Sequence, residues 1–231
     1  DKGSIAGVIT RTDLMNILVG GPVIPDFLYN SSHISDFARN KNVASMLKER
    51  LPGHIIKILK GVGGSADILG YNAYLVGGLV RDVFLKRDNF DIDIVIEGDG
   101  IKFAHEFAVQ YKAKVRSHKK FGTAVIIFPD GFKMDIATAR MEYYETPAAP
   151  PTVEVRSIKM DLLRRDFTIN TLAIKLNRRS YGSLIDYFGG QKDLKDKIIR
   201  VLHNLSFVED PTRILRAVRF EQRFGFKIGK M

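Results

Sequence analysis

The clearest pattern of apolar and polar positions runs from Tyr71 to Arg140, where the spacing alternates between strand-like and helix-like. Ala73–Val76 is a short apolar run and reads as a strand. Leu79–Lys86 has helical spacing. Asp91–Glu97 alternates strictly, with Ile92, Ile94 and Ile96 on one face and Asp91, Asp93 and Val95 on the other. Ile101–Tyr111 is a second helix. Lys114–Arg116, Thr123–Phe128 and Lys133–Ala137 are strands, and Pro129-Asp130-Gly131 is the turn between the last two. This order predicts an α+β fold, with a mixed, mostly antiparallel sheet and helices on one side.

The flanks are less regular. Between Asn42 and Lys60, Val43, Met46, Leu47, Leu51, Ile55, Ile56 and Leu59 fall at helical spacing, and Pro52-Gly53 divides them into two helices. Residues 141–158 hold Pro147, Pro150 and Pro151, show no period and read as a long loop. From Lys159 onward the chain is expected to be largely helical, with short strands near Thr171–Leu176 and Ile198–Leu202. At the start, Ile5–Thr10 reads as a strand, with a helix from Thr12 or Asp13. Residues 20–40 are rich in Gly, Pro, Ser and Asn, as a linker is.

Composition narrows the possible chemistry. The chain has 231 residues, no cysteine and a net charge of +10. A disulfide framework and a thiolate metal site are excluded. No apolar run reaches the roughly 18–20 residues of a membrane span, and Asp1-Lys2-Gly3-Ser4 does not resemble a signal peptide, so the cytoplasm is the expected compartment. The positive balance suits a polyanion partner, although a Lys/Arg-rich solvated surface gives the same count. The five histidines show no metal spacing.

Two features carry chemistry. The side chains of Asp91 and Asp93 are expected roughly 6–7 Å apart on the open face of their strand. Hard carboxylate oxygens of this kind hold Mg²⁺ and leave room for phosphate oxygens. Two such ions can clamp the attacking and leaving oxygens of a phosphoryl transfer. Gly77-Gly78 stands between a strand and a helix, where the missing Cβ lets a ligand approach the backbone. Arg81 adds a guanidinium fork that matches phosphate. Alone, each feature also reads as an acidic strand or an ordinary turn.

Further on, Leu162-Leu-Arg-Arg-Asp-Phe-Thr-Ile-Asn170 gathers two arginines with an Asp and an Asn. In Val208-Glu-Asp-Pro-Thr-Arg-Ile-Leu-Arg-Ala-Val-Arg-Phe220, Asp210 is placed to cap a helix whose first turn begins at Pro211. Arg213, Arg216 and Arg219 are expected along one side, with Ile214, Leu215, Val218 and Phe220 filling the other. Lys112, Lys114, Arg116, Lys119 and Lys120 put five cations within ten residues, which suits either an RNA backbone or a solvated face.

Taken in order over residues 71–225, these motifs resemble the class II tRNA nucleotidyltransferases and bacterial poly(A) polymerases of the nucleotidyltransferase superfamily. Leu75-Val-Gly-Gly-Leu-Val-Arg-Asp82 with Asp91-Ile-Asp93 resembles the family's first motif, Arg164-Arg-Asp166 with Asn170 the next, and Glu209-Asp210 with Arg213 the protein template for the incoming base. The resemblance implies a polymerase-beta-like head followed by a helical neck. It implies that Asp91 and Asp93 bind the catalytic Mg²⁺ and that Gly78, Arg81 and Arg165 hold the triphosphate. Asn170 lies near the sugar, Asp210 and Arg213 select the base, and Arg216 and Arg219 support that pair or the phosphates. An acceptor-only Asp beside a donor-only Arg accepts cytosine and adenine and rejects uracil and guanine. Asp135 is either a third metal-facing carboxylate or a structural partner of Arg140.

The implied activity is addition of C, A or both from CTP and ATP to a tRNA 3′ end, with release of pyrophosphate. Poly(A) synthesis, or a non-catalytic RNA-binding or regulatory module, are the alternatives. The expected divisions are a CBS-like domain end at 1–19, a linker at 20–41, the head at 42–158 and the neck at 159–231. The family's later body and tail helices are not represented in the sequence.

Overall fold

The computed structural model describes residues 41–143, 152–155, 157–204 and 206–229. The expected CBS-like end and nearly all of the linker lie outside the described residues.

The alternating segments assemble as one sheet. Its strands are β1 (Lys41–Asn42), β2 (Asn72–Val76), β3 (Ile92–Glu97), β4 (Lys114–His118), β5 (Thr123–Ile127), β6 (Lys133–Thr138), β9 (Ala173–Lys175) and β10 (Ser183–Ile185). They are ordered β1-β10-β9-β2-β3-β6-β5-β4, and only β3 and β6 run parallel. The mixed, mostly antiparallel sheet of the α+β reading is therefore present. It does not stop at residue 158: β9 pairs with β2, and β10 with β9. β9 falls within the strand expected near Thr171–Leu176, whereas β10, three residues long, shows no period in sequence. β7 (Arg140–Tyr143) and β8 (Thr152–Val155) form a separate antiparallel hairpin. The expected loop at 141–158 is corrected to that extent, and 144–151 lie outside the described residues.

One face of the sheet is covered by helices. α1 (Ala44–Arg50), α2 (Gly53–Leu69), α3 (Gly78–Phe84) and α4 (Gly100–Tyr111) contribute to a core that includes Leu47, Leu59, Leu79 and Phe107. Ile92, Ile94 and Ile96 enter it at no more than 2% exposure, each worth about 1.5–3 kcal/mol of burial. α2 runs nine residues past the expected end. Its Gly61, Gly63 and Gly64 mask the helical pattern in sequence, and packing explains their presence. A Cβ on Gly63 would lie 1.8 Å from the Leu176 carbonyl oxygen, so only glycine lets α2 reach the turn after β9. The opposite face carries a smaller cluster of Tyr74, Val76, Val95, Ala139, Ile158, Leu162 and Ala173. It is closed in part by α5 (Ile158–Leu163).

The chain ends in α6 (Gly190–Asp196), β11 (Ile198–Ile199), α7 (Ser206–Glu209), α8 (Thr212–Phe224) and β12 (Lys227–Ile228). α8 does not bury the expected apolar face. Ile214, Leu215 and Val218 are 49%, 74% and 46% exposed, whereas Ala217, Phe220 and Phe224 are buried. The stripe facing the sheet domain follows the i, i+3, i+4, i+7 rule from Arg213 through Arg216, Ala217, Phe220 and Phe224. Phe220 and Phe224 receive the Arg81 guanidinium at 5.3 and 4.7 Å from their ring centres. Cation–π attraction offsets the burial of charge at this joint.

Candidate active site

β3 places the carboxylates. Asp93 pairs in register with Val76 on β2 and with Asp135 on β6, so the two aspartates stand side by side on the face away from the helices. Asp91 precedes the strand and is exposed. The three carboxylates sense one another. Burial pushes Asp93 up to about 6, an effect opposed by the Arg165 guanidinium and reinforced by Asp135 and Asp91. Asp135 is also raised, first by burial and then by Asp91, with Lys133 opposing. Asp135 is exposed on the face that bears Asp93.

Repelling, desolvated carboxylates gain from a cation between them. Among the described residues no three His, Asp, Glu or Cys side chains form a ready-made metal cage. The carboxylate oxygens of Asp93 and Asp135, in register on adjacent strands, are hard donors, and an ion such as Mg²⁺ uses one or two carboxylates and takes its other ligands from water and phosphate. The donor set fits.

The glycine turn is built around the same carboxylate. Gly77 has φ +78°, and a Cβ there would lie 2.6 Å from Asp93 Oδ2. The first glycine thus makes room for the Asp93 carboxylate, whereas sequence reading had the glycine pair open the backbone to a ligand. Gly78 is half-buried, and its Cβ position is 3.2 Å from Asn89 Nδ2.

Arg81 is not a surface cation. It is 4% exposed, and its Nε and Nη2 donate to the two oxygens of Asp82 at 2.8 and 2.9 Å. Its Nη1 donates to Asn170 Oδ1 at 2.8 Å. From there the bonds continue in both directions. Asn170 Nδ2 donates to Asp166 Oδ1 at 2.9 Å, and Asp166 Oδ2 accepts from Arg216 Nε and Nη2 at 2.8 and 2.5 Å. On the other side, Asn89 Nδ2 donates to Asp82 Oδ2 at 2.8 Å, and Asn89 Oδ1 accepts the Asp91 backbone N–H at 2.9 Å. A continuous polar chain therefore runs from the carboxylate strand, through α3, to α8. Sequence reading gave site roles to Arg81, Asn170 and Arg216, quoted Asp82 and Asp166 within the motifs without a role, and did not name Asn89. The signal for Asp82 and Asp166 was their place inside the motifs, and for Asn89 its place between the arginine and the carboxylates.

The Arg165 guanidinium opposes the rise of the Asp93 carboxyl. Its Nη2 donates to Asp161 at 3.1 Å, and its buried Nε has no partner within the described structure. Asp161 is fully buried and also holds Arg164 at 2.6 Å. It is the anchor of the arginine pair and was not anticipated.

At the start of α8, Pro211 holds the cap position in place of Asp210. Asp210 Oδ1 accepts the Thr212 N–H at 3.0 Å and its hydroxyl at 2.6 Å, while Oδ2 lies 3.9 Å from Arg213 Nε. One oxygen serves the turn and the other faces the arginine. The Thr212 hydroxyl bond, the backbone bond and Arg213 hold this carboxyl below the usual range, so it stays an acceptor at neutral pH. Arg213 donates to Ser206 Oγ, and to the Arg164 carbonyl at 3.2 Å. Arg219 is exposed, and the structure does not bring it to this network.

Residues 73–200 match the family described as Poly A polymerase head domain. The chain belongs to that family, which includes the class II tRNA nucleotidyltransferases. It is 53% identical over 229 residues to an A-adding tRNA nucleotidyltransferase of Geobacter sulfurreducens, covering 98% of this chain and 26% of that protein. A CCA-adding enzyme in an apo form superposes with a TM-score of 0.78 at 50% identity, over 82% of this chain and 45% of that one. The Thermotoga maritima CCA-adding enzyme complexed with tRNA gives 0.74 at 46%, over 83% and 43%. The chain therefore spans about a quarter of the first relative and under half of each solved enzyme. Among the described residues no helix is long and apolar enough to cross a membrane.

Proposed function

We propose that this chain is the catalytic head and base-selecting segment of an enzyme that adds C, A or both, from CTP and ATP, to the 3′ end of tRNA. The observation that carries this reading is the register of Asp93 beside Asp135, with Gly77 packed on Asp93 and the Arg165 guanidinium opposing the rise of its carboxyl. The names of the relatives, A-adding and CCA-adding, support it.

Asp91 and Asp93, with Asp135 beside them, hold a divalent cation, Mg²⁺ in this reading. When bound, it supplies charge neutralisation for the attacking 3′-oxygen and the leaving pyrophosphate. The protein's residues do the positioning. Gly77 and Gly78 leave the backbone open to the triphosphate. Arg165 offers its guanidinium to the phosphates, while Asp161 fixes its direction. Arg81, Asn170 and Arg216 set the geometry through the polar chain, a change from the direct nucleotide contacts the resemblance implied. Oδ2 of Asp210 accepts the exocyclic amino group of cytosine or adenine, and Arg213 donates to the neighbouring ring nitrogen. Uracil and guanine present the opposite groups, and each unpaired buried group costs about 1–3 kcal/mol.

The test uses the full-length protein, Mg²⁺, labelled ATP or CTP, and tRNAs lacking A, CA or CCA. Incorporation that stops at the CCA end is expected, with none by Asp91→Ala. No incorporation on any of the three tRNAs would sink the reading, and long A-tails on unrelated RNA would move it to poly(A) synthesis.

A further inference from the structure

The cation-rich segment at 112–120 has no role in the site described above. Its register ties it to that site. In the sheet, Asp93 pairs with Asp135, Asp135 with Val125, and Val125 with Arg116 on the edge strand β4. One row along, Lys133 pairs with Ile127, and Ile127 with Lys114. Residues paired in register share a face, so Arg116, Lys114 and Lys133 stand on the face that bears the carboxylates. The alternate residues Ala124, Ile126, Met134 and Ile136 are at most 1% exposed, on the helix-covered side. Val125 and Ile127 are only half-buried, and Lys114, Arg116 and Lys133 are exposed. Among the described residues these three form no ion pair.

We propose that this open face of β4, β5 and β6 is the track for the single-stranded 3′ segment of the RNA. Lys114 and Arg116 receive its phosphates, and Val125 and Ile127 receive apolar base faces. The proposal rests on the transferase reading, and it assigns that reading a surface for its acceptor. An edge strand often carries lysine merely to discourage pairing with other strands. That need does not require the cations to lie in register with Asp93. Three strands span roughly 10 Å between Arg116 and Asp135, enough for two or three stacked nucleotides at about 3.4 Å each. A basic track with apolar surface between its charges is how single strands are held without sequence readout. The sign of charge then changes along the track, from cations at the edge to carboxylates at the reacting end.

The experiment compares the full-length protein with its Lys114→Ala/Arg116→Ala variant. The probes are 5′-labelled RNA hairpins with and without a single-stranded 3′ overhang, titrated across salt. The variant is expected to bind the overhang RNA about tenfold more weakly at 0.1 M salt, with a slope of log K against log salt smaller by roughly 1.4. The blunt hairpin and the KM for ATP should not change. Lys114→Arg/Arg116→Lys should bind the overhang RNA as the parent does. Unchanged overhang binding overturns the proposal, as does an equal loss for the blunt hairpin or a matching rise in the KM for ATP. If the parent protein extends no RNA yet shows the overhang-specific loss, the transferase reading fails and the track stands.

Discussion

Asp93 sits where its own charge is unwelcome. Its carboxyl titrates near 6 rather than at the ordinary 3.8 because burial, Asp135 and Asp91 outweigh Arg165. Between about pH 4 and 6 the folded protein keeps a proton that the unfolded chain has lost. Stability therefore falls as pH rises through that window, and stays lower above it. In metal-free buffer at pH 7.5, Asp93→Asn should unfold at higher urea than the parent. The gain should be at most roughly 2–3 kcal/mol, and it should vanish near pH 4, while activity is lost. Equal midpoints at pH 7.5 would show that the carboxylate is not strained. The reverse holds at Gly77, where the φ of +78° and the 2.6 Å approach to Asp93 leave no room for a side chain. Gly77→Ala should lose most activity and cost about 1–3 kcal/mol of stability by urea unfolding. At this scale the sequence was informative about charge but not about contact. Asp91-Ile-Asp93 was visible as a metal candidate, and alternation allowed Asp135 a place facing it without fixing the pairing, whereas the buried anchor Asp161 depends on long-range packing that no local spacing encodes.

At the scale of elements, α3 and α8 are joined to β3 by the bonds that run from Asp91 through Asn89, Asp82, Arg81, Asn170 and Asp166 to Arg216. Asn89→Ala removes the bond that fixes the Asp91 backbone and the one to Asp82, and leaves the Arg81–Asn170–Asp166–Arg216 bonds in place. It should raise the Mg²⁺ concentration for half-maximal activity several-fold, with the ratio of CTP to UTP use unchanged. A changed base ratio would show that Asn89 acts elsewhere. Asp210→Asn should do the opposite, because an amide donates as well as accepts. Its CTP-over-UTP preference should fall by about 5- to 150-fold, measured by competition at fixed metal. The elements themselves were mostly readable. β5 and β6 alternate, because one face is buried under helices, and β2 is an apolar run because both its faces are covered. α2 was cut short by three glycines that serve packing, and α8 was turned around because its inward stripe sets the exposed Arg216 beside the buried Phe220 and Phe224. A hydrophobicity pattern cannot identify a face whose burial depends on Arg81 stacking and Asp166 pairing.

For the whole molecule, two cores lie on opposite sides of one sheet, and the proposed site lies where the smaller one ends. The order of motifs was sufficient to recognise the family, because Gly77-Gly78, Asp91-Ile-Asp93, Arg164-Arg-Asp166 and Asp210/Arg213 are too widely spaced to coincide by chance in one chain. The extent of the sheet was not legible, since β9 and β10 return to it after the hairpin and are three residues each. If the carboxylates are the metal site, a divalent cation must also stabilise the fold. At one hundred times its Kd, Mg²⁺ should add about 2.7 kcal/mol, a gain that Asp91→Ala should largely lose. The most direct check on the central claim is to count pyrophosphate against 3′ extension in single turnovers of the full-length protein with ATP and a tRNA lacking its terminal A. The account predicts one pyrophosphate per added nucleotide and neither product from Asp91→Ala. Extension at the parent rate by Asp91→Ala, or pyrophosphate release without extension, would contradict it.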